Sequence, residues 1–340
     1  MKKILFIDTT CAAPYSGDDV GSERLDLARC NLSRVAGGLV SLGYEVAVWQ
    51  SGRKRKKRDR KGVLHLPALS EETFKPCVVV CLNDCQILPW LRQKFERSKL
   101  YLWLHDLPEN KRLGLGRMLT CQRFQIVAAG RKQARYVREC YGLEPTTVYP
   151  PTQPGLERYR LSPKFHDSLL YCGSPETLDE TLRLFRALRE KFPRLNLRVA
   201  CHGSECNIGD EPGVALVRGT SRFTLLEEVA KSFCVFQPVQ TSSGLLSHGL
   251  SFAEANAMGT SVLCHVEDPG VDLLVERDQV VDCSKPQELL NKITQWRLSG
   301  PPVPSLDSRL QYRGVLKEWL RILEGDQQSS SSVFPGNPAA

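Results

Sequence analysis

Short, almost unbroken apolar runs alternate with helix-length stretches along this chain, and after a proline-rich break the alternation begins again. In the first half the runs are KILFID (3–8), EVAVW (45–49), VLHLP (63–67), CVVVCL (77–82), YLWLH (101–105) and QIVAA (125–129). Helix-like stretches at 22–42, 86–97, 111–121 and 131–141 separate most of them. A strand with one wet face would alternate polar and apolar side chains. A run such as VVVCL does not, which is the pattern expected of a parallel sheet covered by helices on both faces.

The break is TVYPPTQPGLERYRLSPK (147–164), where Pro150, Pro151, Pro154 and Pro163 fix φ and remove donors, so neither a sheet nor a helix continues through it. The second half then repeats the alternation with LLYCG (169–173), LRVACHG (197–203), VALVRG (214–219), CVFQP (234–238) and SVLCH (261–265). Helices are expected at 176–191, 222–232, 251–258 and 286–297. The fold class is therefore α/β, with two Rossmann-like domains in tandem over 1–160 and 165–304. A terminal helix over 305–323 carries Leu306, Leu310, Val315, Leu316, Trp319, Leu320 and Leu323; it either caps the second domain or returns to brace the first. The tail 324–340 has too few large apolar residues to repay ordering and is expected to be disordered.

Charge is unevenly placed. The net charge is +8, yet Arg53 to Lys61 holds eight cations and one aspartate, so the remainder carries about +1. That run lacks aromatic stacking residues, and its place between two strands favours a solvated loop over a nucleic-acid site. It suits an anionic acceptor or an anionic membrane surface, where each Lys or Arg contributes about 1 kcal/mol. No apolar run approaches the length that crosses a bilayer, and MKKILFIDTT reads as a first strand rather than a leader, so a cytoplasmic protein, peripheral at most to the inner face of a membrane, is expected. The 13 cysteines are scattered singly through apolar runs and read as reduced, buried thiols. Cys77 and Cys81 on one strand would lie roughly 13 Å apart, too far for one zinc. The group around His202 lacks a remote partner, so no metal site is expected.

In open α/β sheets ligands sit beyond the carboxyl ends of strands. After the first strand, Gly17 and Gly21 lie in a loop that either admits a ligand or merely turns. Gly37 and Gly38 fall inside a helix pattern and read as a close-packing point. His105 and Asp106 end a strongly apolar strand, where an imidazole can meet a substrate hydroxyl and a carboxylate can orient it. The most informative stretch is FQPVQTSSGLLSHGLSFAEANAMGTSVLCH (236–265), a strand, a Ser/Gly loop with Ser243 and Gly249, and a helix with Glu254 in its first turn. Loop N–H groups there suit a diphosphate, and Glu254 suits ribose hydroxyls or simply the helix dipole. Neither half has the G-x-G-x-x-G arrangement of a dinucleotide-binding oxidoreductase.

SFAEANAMGTSVLC resembles the segment that follows the glutamate-bearing loop of retaining, family-4-type glycosyltransferases of the GT-B architecture. The resemblance implies a donor-binding second domain, an acceptor-side first domain and metal-independent transfer from a nucleoside-diphosphate sugar, with no cofactor. By that resemblance Glu254 contacts the donor ribose, Gly249 marks the loop turn, Gly173 follows the first donor-side strand, and His105 lies near the transferred sugar. Gly17 to Gly21 resembles the family's first loop. The chain departs from the pattern twice. Leu246 stands where the family has its first glutamate, and GSPETLDET after Cys172 lacks the expected Arg and Lys that neutralise the diphosphate. Arg218 and Arg222 are the candidates to supply that charge from another direction. A scaffold that keeps nucleotide-sugar binding and loses turnover is the alternative.

Overall fold

The computed structural model describes residues 2–20, 25–67, 74–105, 124–173, 175–200, 208, 210–217, 221–239 and 251–325. Two parallel sheets organise them. The first has eight strands in the order β3-β4-β2-β1-β5-β6-β7-β8: β1 is Lys3–Asp8, β2 Glu45–Gln50, β3 Lys57–Arg58, β4 Leu64–Pro67, β5 Val78–Leu82, β6 Lys99–Leu104, β7 Phe124–Ala128 and β8 Thr146–Thr147. The second has six in the order β11-β10-β9-β12-β13-β14: β9 is Phe165–Tyr171, β10 Asn196–Val199, β11 Val214–Leu216, β12 Ser232–Gln237, β13 Val262–His265 and β14 Val280–Val281. Every pairing is parallel except β3 on β4. Strand order reverses at β1/β5 in one sheet and at β9/β12 in the other.

Both faces of each sheet are covered, which is why the strands lack polar alternation. Ile4 and Phe6 of β1 enter one apolar cluster, while Leu5 and Ile7 enter the cluster behind the sheet. Leu170 and Cys172 are likewise separated from Leu169 and Tyr171. The helices are α1 (Leu27–Ser41), α2 (Leu88–Lys94), α3 (Arg131–Tyr141), α4 (Leu178–Lys191), α5 (Arg222–Lys231), α6 (Phe252–Ala257), α7 (Pro286–Ser299) and α8 (Tyr312–Glu324). The helix expected at 111–121 lies outside the described residues. Local chemistry sets several starts: Asp26 accepts from the Arg29 N–H, Ser221 from that of Thr224, and Ser251 with Glu254 forms a reciprocal capping box.

Helix α8 returns to brace the first domain. Val315, Trp319 and Leu323 enter the same cluster as Ile4 and Phe6, and the Trp319 ring lies 4.7 Å from Trp103 and 6.2 Å from Phe6. Gly38 permits the approach, since a Cβ there would fall 2.6 Å from Leu316 Cδ1. Gly37 does the same for the Lys61 stem. Both glycines are close-packing points.

The basic run is more ordered than a solvated loop. Lys57 and Arg58 form β3 against β4, and the buried Asp59 gathers the turn by accepting from the N–H groups of Lys61, Val63 and Gly17 at 2.9–3.0 Å. His65 Nε2 lies 3.1 Å from the same carboxylate. Lys57 pairs with Asp18, and Arg53 is turned inward onto the Tyr15 carbonyl and Gln50. The single aspartate inside the run therefore pins a cationic hairpin to the loop that follows β1. The remaining cations from Lys54 to Lys61 are exposed. None of the described cysteines is in a disulfide, and most are buried.

Candidate functional site

The carboxyl end of the first sheet is built around Asp8. Its fully buried carboxylate accepts from the Thr10 N–H at 3.0 Å, the Tyr15 hydroxyl at 3.0 Å and Arg29 Nε at 2.9 Å. Gly17 is needed there by a neighbour: a Cβ would come within 2.5 Å of Asp59 Oδ2, and no ligand is required to explain the glycine. Gly21 lies outside the described residues.

His105 stands at the end of β6. Its N–H donates to Asn83 Oδ1 at 2.7 Å, and its carbonyl accepts from Gln133 Nε2 at 2.8 Å. Asn83 has φ 56°, a left-handed conformation that an asparagine tolerates. The imidazole packs on Trp103 with ring centroids 4.6 Å apart, and its Nε2 is buried with no partner among the described residues. Burial pushes its pKa down from 6.5 to about 3, so the ring is neutral near pH 7. A neutral imidazole is suited to accept or donate one hydrogen bond, not to neutralise a phosphate. Asp106 lies outside the described residues.

Gly173 follows β9 at the second switch point. A Cβ there would fall 2.3 Å from the Tyr171 hydroxyl, which itself lies 2.6 Å from Thr177 Oγ1. Tyr171 thus folds beneath the turn and imposes glycine from below. The nearby Glu180 is engaged by Arg183.

Glu254 sits in the first turn of α6, after the other switch-point strand, and is fully buried. Oε1 accepts from the Gln153 N–H at 2.9 Å and lies 3.0 Å from Arg34 Nη2; Oε2 accepts from Arg222 Nη2 at 2.7 Å and from the Ser251 N–H at 3.3 Å. Burial pushes the carboxyl pKa up, but the Arg222 and Arg34 charges outweigh it and hold the group below the ordinary 4.5. For Arg222 burial acts downward and the Glu254 charge more than compensates, so its pKa is raised. The pair is ionised. Arg222, expected to face a diphosphate, is here committed to Glu254 and to Gln153 Oε1.

The cluster joins three parts of the chain: Arg34 from the first domain, Pro151 and Gln153 from the linker, and Arg222 with Glu254 from the second domain. Arg34 Nη1 donates to the Pro151 carbonyl at 2.9 Å. Arg34 was not a candidate in the sequence. Its signal was a cation on the apolar face of α1, flanked by the fully buried Leu32, Val35 and Ala36. Such a residue needs a buried partner. Arg218, Ser243 and Gly249 lie outside the described residues, so their relation to this cluster is not part of the geometry.

Between the domains, on the side of β7 and β13, lies a cavity of about 1000 Å³. Arg131, Arg135 and Arg138 of α3, Asp268, Asp272 and Tyr149 are among its lining residues, with Arg135 paired to Glu139 and Arg138 to Glu144. Arg309 stacks over the Tyr149 ring at 5.5 Å. This mixture of guanidinium, carboxylate and aromatic groups suits a polar, hydroxyl-bearing ligand. Its sequence signal was the 131, 135, 138 spacing of arginines.

No protein-family profile and no curated sequence matches the chain. Solved structures do. A glycosyltransferase from Rickettsia africae ESF-5 superposes with a TM-score of 0.70 at 14% identity, covering 97% of this chain and 99% of that one. Sucrose-phosphate synthase from Thermosynechococcus elongatus gives 0.66 at 13% identity over 95% and 98%. A protein of Anabaena, solved in complex with UDP and glucose, gives 0.60 at 14% over 95% and 100%. The fold is GT-B. The likeness covers 95–97% of this chain. Among the described residues no helix is long and apolar enough to cross a membrane.

Proposed function

We propose that the chain is a glycosyltransferase of the retaining, family-4-type group that takes a nucleoside-diphosphate sugar at the β9/β12 end of the second domain. The observation that carries the reading is α6, which follows the switch-point strand β12 and carries Glu254 in its first turn, where Arg34 of the first domain reaches it. In this reading Glu254 holds the ribose hydroxyls once it is released from its present partners. Gly173 lets the backbone approach the donor. The diphosphate is met by N–H groups around Ser243 and Gly249 and by Arg218, with Arg222 joining when Glu254 turns to the ribose.

The acceptor enters from the first-domain side, past Gly17, Gly21, His105 and Asp106. His105 accepts a hydrogen bond from a sugar hydroxyl through the unpartnered Nε2; a pKa of about 3 makes it a positioning group and not a proton donor. The cationic hairpin from Arg53 to Lys61 meets an anionic acceptor or an anionic membrane, consistent with a peripheral cytoplasmic enzyme. Transfer needs no resident cofactor in this reading. The domains exclude water by closing on the cleft.

A second reading keeps donor binding without turnover. Leu246 in place of a glutamate, the missing Arg/Lys pair after Gly173, and a Glu254 already engaged on both oxygens favour it. Calorimetric titration with nucleoside-diphosphate sugars of several bases, followed by assay of released nucleoside diphosphate, separates the two. Binding with release supports the enzyme, binding without release the scaffold, and no binding at all sinks both.

A further inference from the structure

The partners of Glu254 are not equivalent. The Ser251 N–H belongs to its own helix cap, Arg222 to its own domain, and Gln153 to the linker; Arg34 alone comes from the first domain. A carboxylate has about four acceptor positions; three carry hydrogen bonds here, and Arg34 Nη2 stands 3.0 Å from Oε1 where a fourth partner would approach, so a ribose hydroxyl must displace it. Arg34 is also the least well held. Its Nη2 is 3.0 Å from Oε1 but off the hydrogen-bonding direction, and Nε has no partner among the described residues. Among the described residues one directed bond, Nη1 to the Pro151 carbonyl, serves a guanidinium that is only 2% exposed. A buried guanidinium with most of its five donors unused gains hydrogen bonds on release to water. Arg222, by contrast, holds the other carboxylate oxygen through a directed charge-assisted bond at 2.7 Å from within the same domain. Of the partners of Glu254 among the described residues, Arg34 is therefore the one whose departure costs the fewest directed bonds.

We infer that Arg34 is an interdomain clasp: it occupies Glu254 from the opposite domain, withholds that carboxylate from a ligand's ribose hydroxyls, and must leave before they bind. The inference rests on the nucleotide-sugar reading for the identity of the ligand, but the clasp itself is a property of the ligand-free chain. Arg34 is a positioning residue, acting through Glu254.

The test uses the full chain with Arg34→Met, which keeps much of the stem and leaves the Glu254–Arg222 pair neutral, and Arg34→Lys, which keeps a cation. Circular dichroism establishes that each variant is folded. Small-angle scattering and hydrogen exchange are measured without ligand, and UDP is titrated as the probe. Arg34→Met is expected to raise the radius of gyration, speed exchange in 149–156 and 251–257, and bind UDP at least tenfold more tightly; Arg34→Lys falls between it and the wild type. An unchanged radius and unchanged exchange in a folded Arg34→Met overturn the clasp, whatever UDP does. Looser domains with unchanged UDP affinity overturn the withholding of Glu254. If UDP binds neither protein, the uridine form of the functional reading fails, while the scattering and exchange still decide the clasp.

Discussion

Replacing Glu254 by glutamine removes one negative charge from a site that holds two buried arginines. Arg34 and Arg222 are 2% and 4% exposed, so neither recovers hydration without moving the backbone around it. Breaking a buried ion pair by removing one partner costs about 3–5 kcal/mol. The amide also turns an NH₂ toward a guanidinium or toward the Ser251 N–H, losing part of the helix cap. Urea unfolding at pH 7 measures the loss, with tryptophan emission reporting on both domains: Trp103 and Trp319 in the first, Trp296 in the second. Two transitions are to be expected, so each is fitted separately. Glu254→Gln is predicted to lower the second-domain transition by about 3–5 kcal/mol and to separate it further from the first. The combination with Arg222→Met should cost at least about 1 kcal/mol less than the two single changes added, because it removes opposite charges together. The folded pKa of Glu254 is depressed, so its contribution is present above the unfolded value and disappears as pH falls below about 4.5. The Gln variant should lack that part of the acid loss. A loss below about 1 kcal/mol, or strict additivity with Arg222→Met, would refute an ionised, load-sharing carboxylate at the junction.

Three further outcomes follow from other parts of the molecule. Trp319→Ala should destabilise the first domain by about 3–5 kcal/mol while sparing the second, because the ring fills space between Phe6 and Trp103; a selective fall of the second transition would contradict the bracing role of α8. His105, with a folded pKa of about 3 against 6.5, stays neutral while the unfolded chain takes up a proton. Stability should therefore drop by up to about 1.4 kcal/mol per pH unit below pH 6, and His105→Gln should remove that component. Changing Arg55, Lys56, Arg58 and Arg60 to serine should weaken binding to vesicles of anionic lipid by about 1 kcal/mol per charge and leave nucleotide binding unchanged; loss of nucleotide binding would show that the hairpin serves the donor site.

The two sheets were legible because their evidence is local. A run such as KILFID states both that it is a strand and that both faces are covered, and β1 is found at Lys3–Asp8. The terminal helix was legible as an amphipathic element, but Val315, Trp319 and Leu323 say only that one face is buried, not against what. Its destination depends on Gly38, some 280 residues away, which admits Leu316 by lacking a Cβ. The exposure of the basic run was legible, but its order was not, for a similar reason: Asp59 gathers donors from its own turn and from Gly17, and the second set is invisible in the local pattern. At the site, Glu254 was legible as a helix-start carboxylate and its cap with Ser251 is local. Its pairing with Arg34 is tertiary. Arg222 was noticed for its charge, and the charge is used against Glu254, which no spacing rule foretold.

The central claim is that the second domain binds a nucleoside-diphosphate sugar through Glu254. Titration of nucleoside diphosphates and their sugars into wild-type protein and Glu254→Gln tests it most directly. Saturable binding of one nucleotide class, weakened at least tenfold by the substitution in a variant that remains folded, is the predicted result. Absence of binding by every nucleotide up to millimolar concentration, or equal affinity in both proteins, would contradict it.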